Sequence, residues 1–222
     1  MLAATDARAE NCENLLRQLA GGQGAYRIGA RLPNLSDRRS LRVLFYVARE
    51  FETGVRETVR RLKSDAAREG RRITITLVVG EDFAFRAALL DHMRENVPRA
   101  DVILINAHGK PRLMQLHPGG EFRAKEFRSI DFSGRIVGLL GCNTGNVRFP
   151  LTTRDDELRW KGVPEEDRVL EAVASAGARS VFGSTSSFSN SASVPPLLHR
   201  LFFGANPDFL PLDIRVLTRV PG

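Results

Sequence analysis

A histidine and a cysteine in this chain each follow an apolar segment and stand beside a glycine. They are His108, in the pair His108-Gly109, and Cys142, in the pair Gly141-Cys142. A thiol is a good nucleophile only as the thiolate, so a reactive cysteine needs a nearby group that takes its proton. An imidazole does this near neutral pH. The two residue types predict a nucleophile and a base, provided that the fold brings them together.

The segments that precede these two residues have the pattern of strands buried on both faces of a parallel sheet. They cover residues 101–107 and 135–141. If the two strands are parallel neighbours, their carboxyl ends lie about 5 Å apart, so both side chains could address one substrate bond. Gly109 leaves its backbone N–H unobstructed, and this group with the N–H of Cys142 could form an oxyanion hole.

The rest of the chain alternates between strand and helix patterns. Strand patterns cover residues 41–48, 73–79, 179–184 and 214–220, and helical periodicity covers residues 52–68, 83–95 and 165–176. A short hairpin is predicted over residues 113–122, around a Pro-Gly-Gly turn. This alternation predicts a three-layer α/β/α sandwich with a mostly parallel sheet of about six strands, in which ligands bind at the carboxyl ends of the strands.

The chain has the size and composition of one globular domain. It holds 222 residues, of which 42% are hydrophobic. Residues 1–40 are polar and contain several breakers, so we interpret them as an N-terminal extension or linker before a domain at residues 41–222.

The formal net charge of +7 raises the possibility of nucleic-acid binding. However, the chain has only four lysines, and its arginines are scattered through helices and loops instead of alternating with aromatic residues in one stripe. This distribution favours a solvated basic surface over a nucleic-acid partner.

Two cysteines, Cys12 and Cys142, lie far apart in the sequence. This number and spacing predict neither a disulfide framework nor a zinc site, and they fit a reducing compartment. No apolar run approaches the length of a signal or membrane segment. We therefore expect a cytoplasmic protein without membrane contact.

Three motifs together resemble the caspase-like (clan CD) cysteine peptidases, and most of all their CHAT-domain subgroup. They are the strand that ends in His108-Gly109, the hairpin, and the strand that leads into Cys142-Asn143-Thr144-Gly145. The resemblance spans residues 41–203, although only the histidine and cysteine segments are specific. It implies a caspase-like fold.

The resemblance also implies an activity, namely hydrolysis of peptide bonds in protein or peptide substrates by a cysteine endopeptidase. His108 would be the general base and acid, Cys142 the nucleophile, and the backbone N–H groups of Gly109 and Cys142 the oxyanion donors. Such a reaction needs no metal or organic cofactor. Family members are often controlled by a protein partner or by processing, so a regulatory partner is expected.

The substrate pocket is less well defined by the sequence. Ser184, Thr185 and Ser186 follow the fifth strand, where the family places substrate-binding backbone, but the aromatic residue usual in CHAT domains is absent. Residues 139–141, just before the nucleophile, are apolar, whereas relatives that cut after basic residues carry an acid near it. The sequence therefore does not support cleavage after Arg or Lys.

Residues 143–164 form a long connection with many charged residues in its second half. Long loops in compact domains are often functional. We interpret this segment as an activation or substrate loop that is cut autocatalytically.

Other interpretations remain open. Cys142 could be a small apolar residue at a buried strand end, which is a common position for a free cysteine. The chain could then be a catalytically silent caspase-like interaction module. A flavodoxin-like ligand-binding domain, in which His108 and Cys142 are unrelated, is a further alternative.

Overall fold

The computed structural model of the chain describes residues 26–29, 32–146, 148–151, 159–185, 190–204 and 214–220. Within these residues, seven strands form one central sheet. Its strands are β1 (Tyr26–Gly29), β2 (Ser40–Val47), β3 (Arg72–Val79), β4 (Val102–Asn106), β8 (Ile136–Leu140), β11 (Ser180–Ser184) and β12 (Ile214–Arg219). Two smaller sheets consist of β5 (His108–Lys110), β6 (Leu113–His117) and β7 (Gly120–Arg123), and of β9 (Arg148–Leu151) and β10 (Arg159–Gly162).

The strand order of the central sheet is β1-β12-β11-β8-β4-β2-β3. The strands from β11 to β3 are parallel, and β12 and β1 are antiparallel to their neighbours. The predicted α/β class and mostly parallel sheet are thus confirmed, with one strand more than expected. β4 and β8 are direct neighbours, as the pairing of His108 with Cys142 requires.

Helices cover both faces of the sheet. They are α1 (Arg49–Arg68), α2 (Arg86–Asn96), α3 (Ala124–Arg128), α4 (Val169–Ser175) and α5 (Asn190–Phe203). Short 3₁₀ helices cover Gly80–Asp82, Val97–Arg99 and Glu165–Asp167. One apolar core lies between the sheet and α2, α3 and α4, and the second lies between the sheet and α1 and α5.

The alternation of side chains along β4 assigns its residues to the two cores. Ile103 and Ile105 belong to the α2/α3/α4 core, and Val102 and Leu104 belong to the α1/α5 core. All four are buried, because a central parallel strand is covered on both faces.

The strand β1 lies within the segment that the sequence suggested as an extension or linker. It pairs with β12 at the edge of the sheet, and the hydroxyl of Tyr26 donates to the carbonyl oxygens of Ala174 and Ala178, 2.9 Å away in the case of Ala178. The described part of this segment therefore joins the sheet. The domain boundary at residue 40 stays a prediction.

In the part of the chain that the structure describes, no helix is both long enough and apolar enough to cross a membrane.

Candidate active site

The carboxyl ends of β4 and β8 meet at one edge of the central sheet. Asn106, the last residue of β4, is in register with Leu140, the last residue of β8. The N–H of Ala107 donates to the carbonyl oxygen of Leu140 over 3.3 Å. The two chains that lead to His108 and Cys142 therefore leave the sheet side by side.

Two glycines hold these chains in contact beyond the strand ends. A methyl group on Gly141 would lie 2.6 Å from the carbonyl oxygen of Ala107 and 3.1 Å from the Cα of Gly109. A methyl group on Gly109 would lie 3.0 Å from the carbonyl oxygen of Cys142. The backbone around His108 thus packs directly against the backbone around Cys142, at a separation that only glycine permits on either side.

His108 presents its ring at the surface, with 61% of the side chain exposed. Its Nε2 lies 3.1 Å from Oε1 of Glu50, and its ring packs edge-on against Phe51, with ring centroids 5.1 Å apart. A carboxylate only accepts hydrogen bonds, so this contact favours the tautomer with the proton on Nε2, which leaves Nδ1 as the acceptor nitrogen.

Glu50 and Phe51 owe their positions to the start of α1. This helix begins at Arg49, two residues after β2 ends, and β2 is the neighbour of β4 on the side away from β8. The first turn of α1 therefore lies at the same sheet edge as His108. Glu50 was not predicted as a site residue, although an acid two residues after a predicted strand is a signal that could have placed it at the site.

Cys142 forms no disulfide with any described residue, and it is half-buried. It packs against the apolar core under α1 and α5. The residue is therefore neither fully buried nor fully exposed, and the core contact limits its movement.

The residues after Cys142 form a tight turn that fixes the cysteine. Asn143 has a φ of +58°, in the left-handed region, and the Nδ2 of Asn146 donates to its Oδ1 over 2.9 Å. Thr144 is fully buried, with Oγ1 2.8 Å from the carbonyl oxygen of Leu139 and 3.1 Å from that of Gly141. Its hydroxyl thus satisfies backbone acceptors at the end of β8.

The same turn is tied to the next strand, β11. The N–H of Gly145 donates to the carbonyl oxygen of Ser184 over 2.8 Å, and a methyl group on Gly145 would lie 2.5 Å from the carbonyl oxygen of Gly183. Each residue of the motif after the cysteine therefore has a structural role: a left-handed turn, a buried hydrogen bond or a close backbone approach.

The predicted substrate residues fall at the end of β11, beside this turn. Ser184 is buried, and the carbonyl oxygen of Thr185 accepts from the Nδ2 of Asn146 over 2.7 Å. Ser186 lies outside the described residues. The structure thus brings the backbone of Ser184 and Thr185 next to the turn that follows Cys142.

A buried ion-pair network lies behind the turn. Glu171 on α4 contacts Arg215 on β12 at 2.5 Å and Arg168 at 3.2 Å. A methyl group on Gly145 would lie 3.2 Å from the Cβ of Arg215, so the network borders the turn. Arg168 also donates through Nε to the carbonyl oxygen of Val163 over 2.7 Å, which connects the network to the end of the long 143–164 connection.

That connection contains the antiparallel pair β9 and β10, with Arg148 opposite Gly162 and Leu151 opposite Arg159. Residues 152–158, which hold most of its charged side chains, lie outside the described residues. Its proposed cleavage stays a prediction.

Two other histidines have partners that explain their positions. His92 on α2 shares a 3.1 Å hydrogen bond with the hydroxyl of Tyr46, and burial lowers the pKa of its ring, opposed by the nearby charge of Glu95. His117 accepts from the N–H of Gly119 at Nδ1 over 2.8 Å and lies 2.9 Å from the carbonyl oxygen of Phe83 through Nε2. Both residues are structural.

No protein-family model and no curated protein matches the chain. Among solved structures, the chain is similar to separase in two crystal structures of the Saccharomyces cerevisiae separase–securin complex, with 12% sequence identity in both. The matches cover 86% and 90% of this chain, with TM-scores of 0.42 and 0.41.

The chain spans about a tenth of the length of these separase chains, namely 10% and 11%. At this level of similarity to separase, the roles of residues in this chain follow from its own geometry.

Proposed function

We propose that the chain is a caspase-like cysteine endopeptidase of the CHAT type, with Cys142 as nucleophile and His108 as general base and acid. The observation that carries this proposal is the backbone contact between Gly109 and the Gly141-Cys142 pair. It brings the backbones beside a histidine and a half-buried cysteine together at the end of the sheet where α/β proteins bind ligands.

The chemistry follows the ordinary course of acyl transfer to a thiol. The thiol proton of Cys142 passes to Nδ1 of His108, and Sγ forms a bond to the carbonyl carbon of the substrate. The peptide C–N bond then breaks, and His108 returns the proton to the leaving amine. Water, deprotonated by His108, hydrolyses the thioester to a carboxylic acid and restores the thiol.

Glu50 would orient the imidazole during these steps. Its 3.1 Å contact with Nε2 keeps the proton on that nitrogen and leaves Nδ1 to exchange protons with the thiol. The arrangement is nucleophile, base and orienting acid, which is the general logic of catalytic triads. The orienting group comes from α1, a different element from the two that carry the dyad.

The backbone N–H groups of Gly109 and Cys142 are the proposed oxyanion donors. Both belong to the two chain segments that pack closely together beyond the ends of β4 and β8. Ser184, Thr185 and Ser186 are proposed to bind the substrate backbone beside this site.

A protein or peptide is the proposed substrate, and a regulatory protein partner or autocatalytic processing in the 143–164 connection is the proposed control. A cysteine that forms no disulfide among the described residues suits a reducing compartment, so the proposed location is the cytoplasm.

An electrophilic peptide probe tests the proposal. Peptidyl acyloxymethyl ketones are incubated with a Cys12→Ser protein, in which labelling reports on Cys142 alone, and adducts are measured by intact-mass spectrometry. Cys142→Ala should remove the adduct, and His108→Ala should slow its formation at least about a hundredfold. His199→Ala, which changes an exposed histidine on α5, is the matched control and should label at the unchanged rate.

Labelling at the rate of a free thiol, equal in the presence and absence of His108, would overturn the proposal. It would favour the silent interaction module instead.

A further inference from the structure

One polar side chain in the core has no hydrogen-bond partner among the described residues. It is the carboxamide of Asn106, in which both Nδ2 and Oδ1 are buried and unpaired. Asn106 has no exposed surface, and it stands at the end of β4, two residues before His108. A buried amide that lacks partners is unfavourable, so its position requires an explanation.

The alternation of β4 determines where this amide lies. Val102 and Leu104 belong to the α1/α5 core, so Asn106 lies on the same face of the strand. Its neighbours in register are Val47 on β2 and Leu140 on β8, and both belong to that core. The amide is therefore set between apolar side chains.

Cys142 packs against the same core and is half-buried. It stands two residues beyond Leu140, which is the register neighbour of Asn106. Asn106 is fully buried on this face of the sheet, inward of the half-buried cysteine. Cys142 and the amide of Asn106 therefore lie on the same face of the sheet, at the carboxyl ends of two neighbouring strands.

We propose that Asn106 determines the specificity of the peptidase by binding the substrate side chain that precedes the scissile bond. This inference deepens the proposed function and depends on it. The group that pairs with both Nδ2 and Oδ1 at once must accept one hydrogen bond and donate another. Among protein side chains, the carboxamides of Asn and Gln do so in one plane.

The surroundings of Asn106 disfavour a charged substrate residue. Val47 and Leu140, the register neighbours of Asn106, are apolar and buried, so a carboxylate or ammonium group placed there would lose its hydration without a charged partner beside it. An apolar side chain of the same size would leave the amide unpaired. Specificity for Asn or Gln follows from both arguments, because a site built to hydrogen-bond its ligand rejects analogues that cannot do so.

The test uses the same acyloxymethyl ketone probes with one residue varied next to the electrophile. Gln is compared with Met, which is similar in size and apolar, and with Glu, which is charged. We expect the Gln probe to label the Cys12→Ser protein at least about tenfold faster than either of the others. In the Asn106→Leu variant, labelling by the Gln probe should fall at least about tenfold, and labelling by the Met probe should equal or exceed its original rate.

A second variant and a second reagent distinguish a change in probe specificity from a change in the thiol itself. Asn106→Val introduces the residue type found at the neighbouring position 47 and should behave like Asn106→Leu. The rate with iodoacetamide should be the same in all proteins, which shows that the thiol itself is unchanged.

An identical probe preference in the wild type and the variants would overturn this inference and leave the proposed function intact. Unfolding of both apolar variants would have the same consequence. His108-independent labelling by every probe would overturn the proposed function and this inference together.

Discussion

The Nε2 of His108 lies 3.1 Å from the Oε1 of Glu50, and this contact joins two neighbouring strands of the sheet through the elements that follow them. His108 begins β5 directly beyond β4, and Glu50 lies in the first turn of α1 directly beyond β2. The side chains are 61% and 51% exposed, so solvent screens the interaction. Its main effect is therefore on the orientation and tautomer of the ring.

Removal of this carboxylate should slow the reaction of Cys142 moderately. Glu50→Ala should lower the rate of labelling by a peptide electrophile about fivefold, since exposed pairs of this kind contribute up to ~1 kcal/mol. Glu57→Ala is the matched control, because Glu57 lies on the same helix and pairs with Arg60 and Arg61. An equal loss in both variants would indicate an effect on α1 and not on the histidine.

The close approach of Gly109 predicts a strong effect of a single methyl group. In Gly109→Ala the new Cβ would lie 2.5 Å from the Cγ2 of Thr144 and 3.0 Å from the carbonyl oxygen of Cys142. Thr144 is fully buried and cannot move aside freely. We expect a loss of ~1–3 kcal/mol in the free energy of unfolding, measured by urea titration, and loss of His108-dependent labelling.

Gly54→Ala provides the matched control for that substitution. Gly54 lies in α1, and a methyl group there would meet nothing within 4 Å. Alanine is the better helix former, so this variant should gain about 1 kcal/mol of stability and label normally. Loss of stability in Gly54→Ala, or none in Gly109→Ala, would contradict the steric argument.

Removal of the Thr144 hydroxyl should lower stability through the loss of hydrogen bonds, without a change in the shape of the side chain. Thr144→Val keeps the volume but leaves the carbonyl oxygens of Leu139 and Gly141 without this donor. The expected cost is ~1–3 kcal/mol in the free energy of unfolding, because the acceptors lie in a buried site. Thr144→Ser retains the donor and should lose less than Thr144→Val.

A second buried threonine separates this effect from the general consequences of a Thr-to-Val change. Thr58 in α1 donates to the carbonyl oxygen of Gly54 over 2.9 Å, an acceptor within the helix that does not depend on the side chain. Thr58→Val should therefore cost less than Thr144→Val. Equal losses of stability in the two variants would contradict the role assigned to the Thr144 hydroxyl.

The sequence predicted the elements that carry the site better than the contacts between them. Apolar runs and periodicity predicted β4 and β8 within one or two residues of their bounds, and the alternation of elements predicted that their ends share an edge. The close packing of Gly109 on Gly141 depends on the path of two loops, which periodicity does not determine. Asn106 was counted as one residue of an apolar strand, since its lack of partners is visible only in three dimensions.

The parts that the sequence analysis placed poorly are short elements supported by tertiary contacts. β1 has four residues beside a glycine-rich stretch, so its pattern is weak, and it becomes a strand by pairing with β12. The start of α1 at Arg49 instead of residue 52 adds the turn that holds Glu50, which is why the contact with His108 was missed. Local propensity decides neither case, because packing against the sheet supplies the stabilisation.

The last prediction concerns pH and the hairpin that follows His108. Glu126 lies on α3, the helix directly after this hairpin, and is 6% exposed; its Oε2 accepts from the N–H of Arg123 over 2.9 Å, while its Oε1 lies 3.2 Å from Arg86. Burial raises the pKa of Glu126, but the hydrogen bonds from Arg123 and Arg86 outweigh this effect and lower the pKa below its ordinary value of 4.5. A carboxyl group whose pKa is lowered on folding stabilises the fold at pH values above that ordinary value, and this contribution disappears as the pH falls through the folded-state pKa.

Glu126→Gln should therefore lower the free energy of unfolding at pH 7 by about 1–3 kcal/mol, and the difference from the wild type should shrink as the pH falls below 4.5. Glu121→Gln is the matched control, because the side chains of Glu121 and its partner Arg123 are 40% and 64% exposed, so the substitution should change stability little at any pH. Thermal or urea unfolding of the three proteins between pH 3 and pH 7 measures this, and a difference that grows towards low pH would contradict the assigned direction of the pKa shift.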